Sequence, residues 1–391
     1  MQHASPTPGS SRSAVKSLDT RSILGAALDG QELSSAGALH LLGLTREDDL
    51  HRLREAADEL QKQQTGDTVP FETGCSLYIT NLCELSPTLY PYSRQPGDAG
   101  TCTLSIDEID ACLERTNYRQ TERLYVSGGG FWPFLQIPGL EAPNLLKTYT
   151  RLCGYIREKA PQIQLTGFSP DEVEFLCIVA DRDERYVLEM LIDHGLQTLG
   201  GNGVEILHDR VRQAISPKKA SVNRWLEIAA TAHRLGLPVI ARMEAGPLET
   251  LQQRVSHMQQ LRRFQQEHPG AFSEIIPQMW TKAPPQAALP VPGLPNCKPQ
   301  DRLKLSAVLR LFLGEAIPRQ TVCWQPKDEA EAQEALQWGA NSLCSTDALA
   351  YHVFLSGSRP TEEYTASDFH RLITETGRIP QPASYPPSKK S

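Results

Sequence analysis

The feature that most constrains this chain is an alternation that begins after Pro70. Short apolar runs, ending in glycine or polar clusters, take turns with amphipathic helical stretches. The runs are Ser76–Ile79, Arg123–Val126, Ile163–Gly167, Leu196–Leu199, Pro238–Met243, Glu274–Met279, Gln320–Trp324 and Ser342–Leu343. Between them lie helical patterns at Ile106–Arg115, Asn144–Lys159, Arg185–His194, Ser221–Leu235, Thr250–His268, Leu303–Phe312 and Glu329–Trp338. Strands that alternate with helices in this way pair in parallel, and eight such units close into a (β/α)8 barrel of the TIM type. Gly195 and Gly236 each follow a helix and lead straight into the next strand, as C-terminal capping glycines do.

The alternation also fixes the domain limits. Residues 1–20 are rich in Ser, Pro and Ala without periodicity and read as a flexible tail. Residues 21–69 carry helical spacing (Leu24, Ala27 and Leu28; Ala38, Leu41 and Leu42; Leu50, Leu53 and Leu60), with Ser34 and Thr45 as helix starts. They read as an N-terminal helical extension. Residues 70–355 form the barrel, and 356–391 a C-terminal helix and tail. The Pro-rich stretch 283–299 falls inside one βα unit, so it reads as a loop on the barrel rather than a linker.

Composition narrows the function. The chain has 391 residues, 39 Lys and Arg against 46 Asp and Glu, and a net charge of −7. Such mild acidity argues against a nucleic-acid binder. No apolar run approaches the roughly 18 residues of a membrane span. Nine scattered cysteines are an odd number in a long chain, which fits a reducing, cytoplasmic compartment better than a secreted disulfide framework.

In a barrel of this kind the chemistry lies at the C-terminal ends of the strands. Those ends read Asn81-Leu82-Cys83, Gly128-Gly129-Gly130, Thr166-Gly167-Phe168-Ser169-Pro170, Gly200-Gly201-Asn202-Gly203, Arg242-Met243-Glu244, Cys323-Trp324-Gln325 and Cys344-Ser345-Thr346. Gly129 and Gly130 expose backbone N–H groups suited to a carboxylate or phosphate, or simply turn the chain tightly. Glu205 and Glu244 are candidate acid–base carboxylates at the mouth, or partners of Arg210 or Arg242 in salt bridges. His208, His233 and His257 have no zinc spacing and read as surface or packing residues.

The segment Asn202–Gly236 (NGVEILHDRVRQAISPKKASVNRWLEIAATAHRLG) closely resembles the radical S-adenosylmethionine (SAM) family that makes deazaflavins and menaquinone precursors. The likeness is greatest to the tyrosine-joining subunit of FO (deazaflavin) synthase. It runs from about Ser22 to Tyr385. Further matching blocks are SLYITNLCE at 76–84, DEI at 107–109, GG at 129–130, FSPDEV at 168–173, GPLET at 246–250, the helix around Arg262 to Gln265, Trp324, GAN at 339–341 and GRIP at 377–380. The resemblance implies a radical SAM barrel with SAM and substrate at its mouth, held by Gly129, Gly130 and Glu205.

In that family a C-x-x-x-C-x-x-C trio after the first strand holds a four-iron–four-sulfur cluster, whose free iron binds and splits SAM. Here the trio falls on Cys83, Pro87 and Tyr90, so Cys83 is its one remaining thiolate. Cys75 and Cys102 flank the loop, with Cys75 at the far end of the strand. Other departures cluster at the mouth. The histidines of H-x-H-A-F-S-P are replaced by Gln164 and Thr166, that of G-H-x-E by Pro247, and Trp132 stands where a histidine follows the paired glycines. The G-A-N-D-x-G-G-T turn reads Gly339-Ala340-Asn341-Ser342-Leu343-Cys344-Ser345-Thr346. These losses give the expectation of a relative that holds no cofactor of its own. Such a relative would bind a small molecule (SAM, tyrosine or a flavin precursor) or regulate an FO synthase subunit as partner. Two alternatives stay open. One is an active transferase joining tyrosine to an aminouracil through unusual cluster ligands. The other is a cluster-free enzyme with Glu244 or Glu205 as base and Cys344 or Cys323 as thiol.

Overall fold

The computed structural model describes residues 19–83, 93–118, 121–127, 132–203, 205–246, 248–279, 298–324, 329–345, 347–349 and 365–384. Three helices open the chain, α1 (Thr20–Leu28), α2 (Ser35–Leu42) and α3 (Glu47–Thr65). Asp19 and Ser34 cap the first two with their side chains. Asp19 and Thr20, in the stretch read as a tail, belong to the first of these helices as its cap and first residue. The third helix starts behind Arg46 without a side-chain cap, so the expected start at Thr45 is one residue early.

Eleven strands follow among the described residues: β1 (Thr68–Glu72), β2 (Gly74–Tyr78), β3 (Arg123–Ser127), β4 (Gln164–Gly167), β5 (Thr198–Leu199), β6 (Val239–Ala245), β7 (Phe272–Met279), β8 (Thr321–Trp324), β9 (Ser342–Ser345), β10 (Asp347–Leu349) and β11 (Ile379–Pro382). All pairings between them are parallel, and each of the eight expected runs is a strand. The sheet order β2-β3-β4-β5-β6-β7 continues to β8 through a bridge between Ile275 and Gln320. The ring closes through β9 and β10. β9 pairs with β8, and β10, one residue further on, pairs with β2. The outcome is the expected α/β barrel. Strands β1 and β11 were not expected. Both contain proline: β11 forms the edge of the sheet, and β1 lies between it and β9 with Pro70 outside the two residues that pair with β9, so a missing N–H does little harm.

Two residue layers separate along each strand. Val239, Ala241, Met243 and Ala245 of β6 join the large core under the helices, while Ile240 packs inside the barrel with Tyr125 and Ile276. The period of two therefore points Ile240, Arg242 and Glu244 inward. Below the apolar layer, at the N-terminal rims of the strands, lies a buried charge network. Arg123 binds Glu274 at 2.7 Å and Glu72 at 3.4 Å, and the Tyr125 hydroxyl donates to Glu72 at 3.0 Å. Arg319 approaches Glu72 and Glu274 at 3.6 and 3.7 Å, and Thr321 donates to Glu274. Burial opposes ionisation of Glu274, but Arg123 and Arg319 overcome it and hold the carboxyl at about 2.

Truncating one member of such a network strands the others. Arg123→Leu is expected to cost about 3–5 kcal/mol of stability, read as a fall in the urea midpoint at unchanged slope. A loss under about 1 kcal/mol would mean that the cluster behaves as solvated charge.

Candidate functional site at the barrel mouth

The mouth is built where β5 gives out. Gly200 to Gly203 turn away from the strand, and Gly201 has no room for a side chain, since a Cβ there would meet the Ile240 carbonyl at 2.3 Å. The turn ends at Glu205, which takes a left-handed conformation (φ 51°) costly for a residue with a Cβ. Backbone bonds fix it there, with the Glu244 N–H donating to the Glu205 carbonyl at 2.9 Å. The Gly203 N–H in turn donates to Glu244 Oε1 at 3.2 Å. The two carboxylates singled out from sequence are therefore brought together.

Neither expected arginine is the partner of Glu205. Lys219, in the loop between the helices Asp209–Ile215 and Val222–Arg234, donates to Glu205 Oε1 and to the Gly203 carbonyl, each at 2.5 Å. Arg212, not Arg210, stands 3.8 Å from Glu205 Oε2 and binds Asp171 at 2.5 Å. Asp171 also accepts from the Ala220 N–H, and Arg212 donates to the Ala220 carbonyl. Asp171 comes from the start of the helix Pro170–Ala180, whose cap Ser169 forms a reciprocal pair with Glu172. The side chains of Glu205, Lys219, Arg212 and Asp171 are all nearly inaccessible. Burial raises the Glu205 carboxyl to about 7 against the pull of Lys219 and Arg212, with Glu244 adding to the rise. Burial works against the Lys219 ammonium too, yet Glu205 keeps it above its usual range.

Several blocks of the resemblance turn out to be scaffold. Glu249 accepts from the Gly246 N–H and from Arg254, both at 2.7 Å, and so pins the exit of β6. Asn341 caps the entry of β8 by accepting from the Gln320 N–H at 2.7 Å. His257 is fully buried, accepts from the Leu207 N–H and is held down to about 3 by burial. It is a packing residue, as its helical position suggested.

The thiols divide. Cys75 is buried against Thr121 near the strand start. Cys83 and Cys102 are both half-buried at the end of β2. Asn81 ties them to one turn, because its N–H donates to the Cys102 carbonyl and its side chain accepts from the Cys102 N–H. Pro87, Tyr90, Gly129 and Gly130 lie outside the described residues, as does most of the Pro-rich stretch 283–299. Among the described residues no group of three or more His, Cys, Asp or Glu side chains is placed to hold a metal ion. They do not by themselves assemble the ligands of a four-iron–four-sulfur cluster. Cys323 and Cys344 are register partners on β8 and β9 with sulfurs 2.6 Å apart. Burial, reinforced by Cys323, pushes the Cys344 thiol well above its usual range, which leaves it protonated and a poor nucleophile.

Comparisons with known proteins agree with this architecture. No protein-family model matches the chain. A curated 5-amino-6-(D-ribitylamino)uracil–L-tyrosine 4-hydroxyphenyl transferase of Trichodesmium erythraeum is 31% identical over 375 residues, 91% of this chain and 94% of the relative. That of Nostoc sp. is 33% identical over 331 residues, 83% of each chain. Among solved structures, methylornithine synthase superposes with a TM-score of 0.68 at 14% identity, covering 92% of this chain and 97% of the other. The hydrogenase maturase HydG does so with 0.68 at 17%, covering 94% and 78%. These matches overturn the expectation that the chain uses no cofactor. Its relatives and fold neighbours are radical SAM enzymes, which work with an iron–sulfur cluster and SAM. Among the described residues no helix is long and apolar enough to cross a membrane.

The Glu205–Lys219 pair makes a pH-dependent prediction. A carboxyl held at about 7 when folded favours the folded state below its unfolded value, and that advantage fades as pH rises through 7. Lys219→Met removes the compensating cation. It is expected to cost about 3–5 kcal/mol at pH 8 and clearly less at pH 5.5, where Glu205 takes up a proton. Equal losses at both pH values, read by denaturant titration, would contradict the pairing.

Proposed function

Because this chain belongs to the family of 5-amino-6-(D-ribitylamino)uracil–L-tyrosine 4-hydroxyphenyl transferases, a radical SAM family, we propose that its barrel mouth binds the small molecules of that reaction. These are SAM, L-tyrosine and the ribitylaminouracil. One observation carries the reading. The Glu205–Lys219–Arg212–Asp171 network is buried, leaves Glu205 Oε2 and Asp171 Oδ2 without a hydrogen-bond partner, and fixes a strained turn beside Glu244 at the strand ends. A fold that gains nothing from the mouth has no reason to hold a left-handed glutamate there. The chain then acts in deazaflavin-type cofactor metabolism through ligand binding and through contact with a transferase subunit. Its sequence offers a single cysteine, Cys83, across the three positions of the cluster trio.

A second reading has its own support. Cys102 shares the Asn81 turn with Cys83, so the chain would be an active transferase that draws a cluster ligand from outside the trio. Thermal unfolding with each ligand separates the two. A ligand at about a hundred times its Kd adds about 2.7 kcal/mol to the folded state. The first reading expects SAM, tyrosine or the aminouracil to raise Tm in anaerobically iron-reconstituted protein, and in Cys102→Ala as in wild type. Stabilisation by SAM only after reconstitution, and its loss in both Cys83→Ala and Cys102→Ala, would establish the second. No shift with any of the three ligands in either preparation would end both.

A further inference from the structure

Arg242 sits on the inward face of β6 and is 6% exposed. Its situation differs from that of other buried arginines. Arg123 binds Glu274 at 2.7 Å, Arg212 binds Asp171 at 2.5 Å, Arg254 binds Glu249 at 2.7 Å, and Arg378 binds Asp58. Arg310 lacks a carboxylate but donates to the Gly339 and Pro318 carbonyls at 2.7 and 2.8 Å. Arg242 donates from Nη1 to the neutral amide oxygen of Gln278 at 3.1 Å, while its Nε is sealed from solvent with no acceptor. A guanidinium stays charged under all ordinary conditions, and a buried cation is retained where an anion comes to meet it.

The surroundings define that anion. Gln278, which accepts from Arg242 and is the register partner of Glu244 on β7, is exposed, so the barrel interior opens to solvent at the level of Glu244, while Arg242 lies one step deeper beside the buried Ile276. The floor beneath is the apolar layer of Tyr125, Ile240 and Ile276, with Cys323 against it. Two residues further along the same face stands the Glu244 carboxylate, at the mouth beside Gly203 and Glu205. Alternate residues on a strand lie about 6.6–7 Å apart. A carboxylate and an ammonium attached to one carbon span such a gap when each adds a hydrogen bond of about 2.9 Å. We propose that Arg242 and Glu244 form a docking pair for the zwitterion of an α-amino acid, with the carboxylate on the Arg242 fork and the α-ammonium on Glu244. The side chain of the ligand then points over the apolar layer or out through the mouth. The proposal rests on the mouth being a small-molecule site. Two of the ligands considered there carry this zwitterion, free tyrosine and the methionyl end of SAM.

Binding of L-tyrosine, SAM, tyramine and 3-(4-hydroxyphenyl)propionate to the full-length protein tests the pair by calorimetry. At least one of the two zwitterions is expected to bind. Tyrosine alone assigns the pair to the free amino acid, and SAM alone to the methionyl end. Tyramine lacks the carboxylate and the propionate lacks the ammonium, and each is expected to bind at least tenfold more weakly than tyrosine if tyrosine is the ligand. Arg242→Met is expected to lose at least tenfold in affinity for the bound zwitterion. Arg242→Lys keeps the charge but not the fork and should fall between, and Glu244→Gln should weaken the zwitterion without affecting the propionate. Unchanged affinity in Arg242→Met, folded by circular dichroism, overturns the pair; if that variant does not fold, unchanged affinity in Arg242→Lys and Glu244→Gln does so. Binding of the ribitylaminouracil by wild type with neither zwitterion bound refutes the pair while leaving the small-molecule site in place.

Discussion

The barrel depends on the closed set of charges at its floor. Glu72, Arg123, Glu274 and Arg319 come from four separate places in the chain, and each is satisfied only when the others arrive. Two acids against two bases leave the group neutral, which is the condition under which a buried cluster is tolerable. Only a ring of strands brings β1, β3, β7 and the entry to β8 to one point. The apolar layer of Tyr125, Ile240 and Ile276 then seals the charges from the mouth above.

That layering separates stability from chemistry. Below the apolar layer each ionic group has a partner of opposite sign. Above it lie Arg242 with an idle Nε, Glu244 beside a second carboxylate, and the left-handed turn at Glu205. A buried guanidinium whose hydrogen-bond acceptor is a neutral amide, next to strained backbone, suits a site that receives an anion. The retained family blocks fall on both sides of this division, since Glu205, Arg212 and Lys219 of Asn202–Gly236 belong to the mouth while others are scaffold. Glu249 and Asn341 hold strand ends, and Asp171 braces Arg212.

The alternation of strands and helices was legible because each barrel strand is buried on both faces and so reads as a short apolar run. β1 and β11 were not, because prolines interrupt them and only their neighbours in space make them strands. Glu205 and Glu244 could be picked out as mouth residues from their position after strands. Their partners could not. Lys219 is 14 residues from Glu205 across a helix, and about half a turn of that helix decides between Arg210 and Arg212. Arg242 was visible only as a salt-bridge candidate, and the lack of an acceptor at its Nε is a fact of three dimensions. The cysteine trio was read by counting positions, and counting could not show that Asn81 carries Cys102 to the same turn as Cys83.

The last barrel strand changes partners partway along. Ser342 to Ser345 belong to β8 and β1, and Asp347 to Leu349 belong to β2. The first strand of the ring therefore stays unzipped along one edge until nearly 350 residues have been made. On the ribosome the growing chain carries an open parallel edge for most of its synthesis, the form most prone to pairing with another chain.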